Sequence, residues 1–137
     1  MSHLGLWELA CHDHARTPYP RKWHRTRLRA LRRAFEAIRH ACGDRPIRVL
    51  SAYRTSTHNR QVGGARRSQH VAGRALDLRP PVGMTVPQFA TIIDDLLDGK
   101  TTAIRGRGRY RWFVHIDVRP GTRLARWSHL GPGSVKV

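Results

Sequence analysis

The sequence predicts an α+β domain, with a small antiparallel sheet packed against two or three helices. Three observations carry this. Residues 28–42 and 85–99 repeat apolar side chains at helical spacing, short stretches around Asp77 and His115 alternate with a period of two, and the blocks follow no regular βαβ rhythm. A chain of 137 residues is long enough for one domain with one core, and nothing along it reads as a linker or an internal repeat. Residues 1–137 are therefore expected to form a single domain.

The elements follow in order. Residues 1–24 carry Pro18, Pro20 and few periodic apolar positions, and read as irregular. Leu28, Leu31, Phe35, Ile38 and Cys42 then step by three or four along one helix face, with arginines between them facing water; Gly43 and Pro46 end the helix. Residues 47–52 (Ile-Arg-Val-Leu-Ser-Ala) form a short strand candidate. The polar stretch 55–68, with Gly63-Gly64, reads as a structured loop with room for a short helix.

Residues 75–79 alternate, with Ala75 and Asp77 on one face and Leu76 and Leu78 on the other, until Pro80-Pro81. Thr85 and Gln88 have the spacing of a capping box. Behind them Phe89, Ile92, Ile93, Leu96 and Leu97 supply a buried stripe, Asp94, Asp95 and Asp98 a wet one, and Gly99 the stop. The run Arg105-Gly-Arg-Gly-Arg leads into a strand over 112–118, with Trp112, Val114, Ile116 and Val118 on the face opposite Phe113, His115 and Asp117.

Composition narrows the chemistry. The chain carries 26 Lys+Arg against 9 Asp+Glu, a formal net charge of +17, and only three of the cations are lysines: Lys22, Lys100 and Lys136. Such a charge suits nucleic acid or another polyanion, including a bacterial wall with anionic polymers. No apolar run approaches a membrane span, and the N-terminus lacks the charged and apolar regions of a signal peptide. Two cysteines, Cys11 and Cys42, exclude a disulfide scaffold and leave one pairing open. There is no zinc-finger spacing, P-loop or helix-turn-helix signal, so a nucleic-acid reading rests on charge and the Arg-Gly run alone.

The constellation with chemical content is Ser68-Gln-His70-Val-Ala-Gly73-Arg-Ala75-Leu-Asp77, completed by Val114-His115-Ile-Asp117-Val118. Two imidazoles and one carboxylate suit zinc and leave a position open for water. Gly73 allows a tight turn between the first two candidate ligands. Asp77, on a strand otherwise lined by leucines, needs a partner, because an unpaired buried carboxylate is costly. Spacing alone leaves a plainer account open, in which Asp77 pairs with an arginine and His115 is a core residue. Cys11-His-Asp-His14 reads as a surface loop, and Trp7, Trp23, Trp112 and Trp127 as packing residues.

These motifs resemble the zinc D-Ala-D-Ala carboxypeptidase family, to which phage L-alanyl-D-glutamate endopeptidases and vancomycin-resistance dipeptidases are related and whose zinc fold the hedgehog signalling domain shares. The resemblance extends to Glu8-Leu-Ala-Cys11, Val49-Leu-Ser-Ala-Tyr-Arg54, His58-Asn59 with Val62-Gly-Gly-Ala65, and Ala125-Arg126-Trp127. It implies a hedgehog-like peptidase fold and one zinc ion held by His70, Asp77 and His115, with water in the fourth position. It also implies that Arg54 holds the scissile carbonyl and its developing oxyanion. The implied substrate is a peptidoglycan stem peptide, cut at a terminal D-Ala-D-Ala or an internal L-Ala-D-Glu-type bond.

The chain departs from its relatives at Trp112, which stands where several of them carry a Glu or Asp three residues before the last histidine. Asp117, on the strand face of His115, is then the first candidate for general base, or a carboxylate that holds a ligand histidine or an arginine. Tyr110 and His58 are further candidates, and Ser68 and Tyr110 are candidate substrate contacts. Without an acid at 112, a zinc-containing wall-binding module without catalysis remains the alternative, and a basic nucleic-acid-binding protein the more remote one. A monomer is expected. A phage or prophage lysin released by a holin, a secreted toxin, or a domain of a longer chain would each bring such a domain to the wall.

Overall fold

Residues 2–130 are described in the computed structural model. The short helix α1 (Leu6–Leu9) and a 3₁₀ turn at Arg21–Trp23 precede helix α2 (Arg27–Ala41). Strand β1 (Val49–Ser51), helix α3 (Ser56–Gln61), strand β2 (Ala75–Leu78) and helix α4 (Val86–Gly99) follow, then strands β3 (Gly106–Tyr110), β4 (Val114–Asp117) and β5 (Ala125–His129). The five strands form one sheet in the order β1-β2-β4-β3-β5.

Both long helices form where the periodicity places them. Leu28, Leu31, Ala34, Phe35 and Ile38 of α2, and Phe89, Ala90, Ile93 and Leu97 of α4, are buried. They meet Leu76, Leu78, Val114 and Ile116 in a common core. Each large apolar side chain buried there contributes roughly 1.5–3 kcal/mol relative to exposure. At the start of α4 the Thr85 hydroxyl accepts from the Gln88 N–H (3.2 Å), while the Gln88 side chain accepts from the Thr85 N–H (2.9 Å). The left-handed residue at the other end is Lys100 (φ 54°) and not Gly99, which remains helical.

The N-terminal segment is less irregular than expected. Leu4, Leu9, Cys11 and Tyr19 are buried, so it forms part of the core wall. Cys11 and Cys42 are both buried free thiols, not a disulfide.

The sheet departs from the sequence reading on its outer side. The Arg-Gly run is itself strand β3, antiparallel to β4, and Ala125–His129 adds a strand parallel to β3. The sheet is therefore mixed, not wholly antiparallel. Local pattern hides β3 because its glycines weaken a strand interior. Their neighbours supply the reason: a Cβ at Gly106 would lie 2.2 Å from Asp117 Oδ2, and one at Gly108 would lie 2.5 Å from the Trp127 ring.

Trp112 also sits elsewhere than expected. The chain turns through Arg111 and Trp112 between β3 and β4, the Tyr110 N–H donating to Phe113 O (3.0 Å), so the strand begins at Val114. Trp112 is 57% exposed, with the Arg111 guanidinium over its ring. Trp7 is likewise exposed, so these two tryptophans do not pack in the core.

Register gives the sheet two chemically different faces. Asp77 lies opposite His115, and His115 opposite Gly108, which lies beside Trp127. Asp117 lies between Ala75 and Gly106 in the neighbouring row. Leu76, Leu78, Val114 and Ile116 point to the helices, and Arg107 on that side forms a bidentate pair with Asp94 of α4 (2.9 Å to each oxygen). Changing Gly106 to Ala is expected to destabilise the protein by about 1–3 kcal/mol, the cost of overpacking a closed site. Urea unfolding measures it, and an unchanged midpoint would contradict the close approach of Asp117.

Candidate metal centre

Strands β2 and β4 and the loop before β2 bring the three sequence-predicted ligands together. His70 Nε2 lies 3.1 Å and His115 Nδ1 3.0 Å from the same oxygen of Asp77, Oδ1. All three residues are buried, and their ligand atoms lie within 4.8 Å of one another, so they could hold one metal ion. Among the described residues they are the group with this property. The Cys11–His14 segment gives no second cluster there.

The opposite atom of each group is already held. His70 Nδ1 donates to Ala52 O (2.6 Å), which leaves Nε2 as the lone-pair nitrogen facing Asp77. His115 Nε2 donates to Asp117 Oδ2 (2.9 Å), which leaves Nδ1. Asp77 Oδ2 accepts from an Arg54 terminal nitrogen (3.3 Å). Fixed tautomers and a carboxylate anchored from behind are what a zinc site of two imidazoles and one carboxylate requires, and the donor set fits that ion. Gly73 shapes the loop: its φ is +69°, and a Cβ there would lie 2.5 Å from the Trp23 ring. The Tyr19 hydroxyl fixes the same turn by donating to Gly73 O (2.6 Å).

Arg54 is 3% exposed yet lines the cleft beside the three ligands. Its Nε donates to Ser51 Oγ (3.2 Å), and one terminal nitrogen donates to Asn59 Oδ1 (3.3 Å). Asn59 in turn donates to Ala65 O (2.9 Å). With the Asp77 contact this uses three of the five guanidinium N–H groups and leaves one on each terminal nitrogen. Burial lowers the Arg54 pKa and the Asp77 charge opposes that shift. Sequence alone does not mark the hold of Asn59 on Arg54; its signal is the His58-Asn59 pair in the loop before the first ligand.

Asp117 stands apart from the cleft. It is fully enclosed and lies outside the lining. Both its oxygens are engaged: Oδ1 by Arg119 Nε (2.7 Å), Oδ2 by an Arg119 terminal nitrogen (2.8 Å) and by His115. Burial would raise its pKa, but Arg119 and His115 hold it well below the usual carboxylate range. Arg119 is a second contribution that the sequence, with arginines throughout, did not single out.

The rest of the cleft wall includes Ser68, Gln69, Tyr110, Phe113 and Trp127. Ser68 Oγ accepts from the His70 N–H (3.1 Å). Tyr110 stacks on Phe113 at 4.7 Å, and its hydroxyl oxygen accepts from Trp127 Nε1 (3.2 Å). Trp127, read from sequence as packing, lies 5.3 Å from the His115 ring. His58 lies on α3, outside the cleft lining, and Asp77 is the cleft's only carboxylate among the described residues.

With the site defined, comparison with known proteins gives its class. The profile of the Peptidase M15 family matches residues 3–117, and the chain belongs to that family. The His70–Asp77–His115 group that could hold one metal ion thus stands in a member of a peptidase family. Over 43 residues the chain is 51% identical to the zinc D-Ala-D-Ala carboxypeptidase of Streptomyces albus G. That stretch covers 31% of this chain and only 17% of the relative.

Two outcomes follow for the metal. Burial alone would lower the His115 pKa, but hydrogen bonds to Asp117 and Asp77 push it up to about 9 in the metal-free site. The ring therefore carries a proton at neutral pH, and Nδ1 must lose it to bind zinc. Calorimetry at pH 6, below the ionisation of a zinc-bound water, in buffers of different ionisation enthalpy is expected to find about one proton released per zinc. Release of none would mean a neutral His115. The variant Asp117→Asn is expected to bind zinc about 10–100-fold more weakly, and His70→Ala, Asp77→Ala or His115→Ala to lose stoichiometric zinc; competition with a chelating dye measures both.

Proposed function

We propose that this chain hydrolyses a peptide bond in peptidoglycan stem peptides, as a zinc-dependent carboxypeptidase or endopeptidase. The observation that carries the reading is one cleft wall holding the three convergent ligand atoms and the Arg54 guanidinium. The name of the Streptomyces relative supports the substrate class. A zinc ion held by His70, Asp77 and His115 supplies, when bound, charge to polarise a carbonyl and to lower the pKa of water to about 7.

The remaining steps belong to the chain's own side chains. Arg54 directs its two free N–H groups at the scissile carbonyl oxygen, where negative charge grows. Its rigid three-point anchorage costs little reorganisation at that moment. Asp117 acts as a positioning residue: enclosed, and occupied by Arg119 and His115, it fixes the His115 ring and takes no proton from water in the cleft. The acid–base role passes to Tyr110. Its oxygen accepts from Trp127, so its own O–H remains free to donate to the leaving nitrogen, and the tyrosinate left behind recovers a proton from the attacking water. Ser68 holds the backbone at His70 and faces the substrate from the same loop.

The Arg-Gly run gives little support to nucleic-acid binding. Arg107 is committed to Asp94, and Arg105 donates to Thr102 O and Ile104 O. The non-catalytic wall module keeps one point in its favour, the absence of a free carboxylate in the cleft among the described residues.

Digestion of purified peptidoglycan by the zinc-loaded protein, followed by mass spectrometry of the released stems, tests the proposal. New amine ends are expected, with Tyr110→Phe slowing their release about 10²–10⁴-fold at unchanged zinc content. Bound zinc without new amine ends would turn the assignment to the non-catalytic module.

A further inference from the structure

Two tryptophans stand out in solvent, and they differ. Trp112 has the Arg111 guanidinium over its ring, whereas among the described residues no ring or cation lies over Trp7, which is 83% exposed. The Trp7 indole is nonetheless held: a Cβ at Gly5 would lie 3.0 Å from Trp7 Nε1, so the five-membered edge rests on Gly5. Trp7 forms one wall of a hollow of about 380 Å³, the size of a small-ligand site, which Glu8, His12, Arg16, Arg48 and Val49 complete. The hollow lies on the Arg54 flank of the metal cleft. Helix α1 packs on β1, and the Tyr53 N–H, one residue before Arg54, donates to Leu9 O (3.2 Å). Burial, then the positive charges of Arg16, His58 and Arg54, lower the His12 pKa, so its ring is neutral at pH 7.

Arg16 adds a sign of construction. Its φ is 52°, a left-handed conformation that costs a residue with a Cβ. Asp13 imposes the turn: its carbonyl accepts from the Arg16 N–H (3.0 Å), and its carboxylate accepts from the Thr17 N–H (2.8 Å) and hydroxyl (2.6 Å). Across the hollow, Glu8 Oε1 accepts from the Gly5 N–H (2.9 Å), and its second oxygen has no partner among the described residues. An open indole face ringed by one carboxylate, two guanidinium groups and a neutral imidazole suits a sugar ring, whose C–H face lies on the aromatic while its hydroxyls exchange hydrogen bonds with planar polar groups. A phosphate polymer would meet the like charge of Glu8 there. We infer that the Trp7 hollow binds a sugar ring of the glycan strand that bears the stem peptide, with the indole under the ring and Glu8, Arg16 and Arg48 on its hydroxyl and acetamido groups. This rests on the peptidoglycan reading and adds to it a hold on the sugar as well as on the peptide.

The probe is chitotetraose, a chain of N-acetylglucosamine rings that carries no stem peptide to cut. It is titrated into the zinc-loaded protein and followed by NMR at the indole N–H resonances. The Trp7 resonance, assigned by its absence in Trp7→Ala, is expected to shift, and Trp7→Ala to bind about tenfold more weakly by calorimetry. Trp112→Ala removes the other exposed indole and is expected to bind as the parent does. Arg16→Gly puts at φ 52° the residue that conformation favours, and is expected to keep or raise the urea midpoint while weakening binding about tenfold.

No shift at Trp7 with millimolar chitotetraose overturns the proposal, as does equal weakening by Trp112→Ala, which would make any exposed indole sufficient. A Trp7 shift with oligodeoxythymidine and none with chitotetraose also overturns it and turns the hollow to nucleic acid. Chitotetraose bound at Trp7 while purified peptidoglycan yields no new amine ends leaves the sugar site standing and removes the peptidase. New amine ends without a Trp7 shift do the reverse.

Discussion

The structure is organised around one buried charge. Asp77 is 2% exposed in the middle of β2, between leucines that pack into the core. An unpartnered carboxylate there would cost several kcal/mol. Every neighbour that touches its oxygens carries or can carry positive charge: Arg54 on Oδ2, His70 and His115 on Oδ1. Burial pushes the Asp77 pKa up, and these partners bring it far below the ordinary range. The same arrangement that neutralises the aspartate leaves two imidazole nitrogens and one oxygen facing a common point. A structural necessity and a metal site are here one set of contacts.

The pattern continues outward as an alternation of charge. His115 spans Asp77 and Asp117, and Asp117 is closed by Arg119, whose guanidinium also lies over the Trp127 ring. Sheet register makes this row: Asp77, His115, Gly108 and Trp127 sit side by side across four strands. The glycines of β3 are the space the row occupies, since any side chain at 106 or 108 would enter the Asp117 carboxylate or the Trp127 ring. An enclosed carboxylate of this kind holds the His115 ring and has no route to water.

The positive charge is not uniform in meaning. Arg54 and Arg119 are built into the site, and Arg107 and Arg126 tie β3 and β5 to the acids of α4. Arg126 pairs with both Asp94 and Asp98, so the aspartates read as a wet stripe in fact fasten the parallel edge strand.

The sequence by itself determined the two long helices, the capping box at Thr85, the strands around Asp77 and His115, and, through the family resemblance, the three candidate ligands with Arg54 beside them. These are legible because helix and strand periods are local and because the ligand motif is contiguous or nearly so. It did not determine β3 and β5 as strands, the hairpin turn that exposes Trp112, the hold of Asn59 on Arg54, or the capture of Asp117 by Arg119. Glycines in β3 argue against a strand until Asp117 and Trp127 are seen lying against them, and one arginine among so many has no distinguishing neighbours in the chain. Tertiary structure decided these points because each depends on which residues meet across the sheet. Register brings together residues such as Asp77 and His115, 38 positions apart, and no local pattern carries that information.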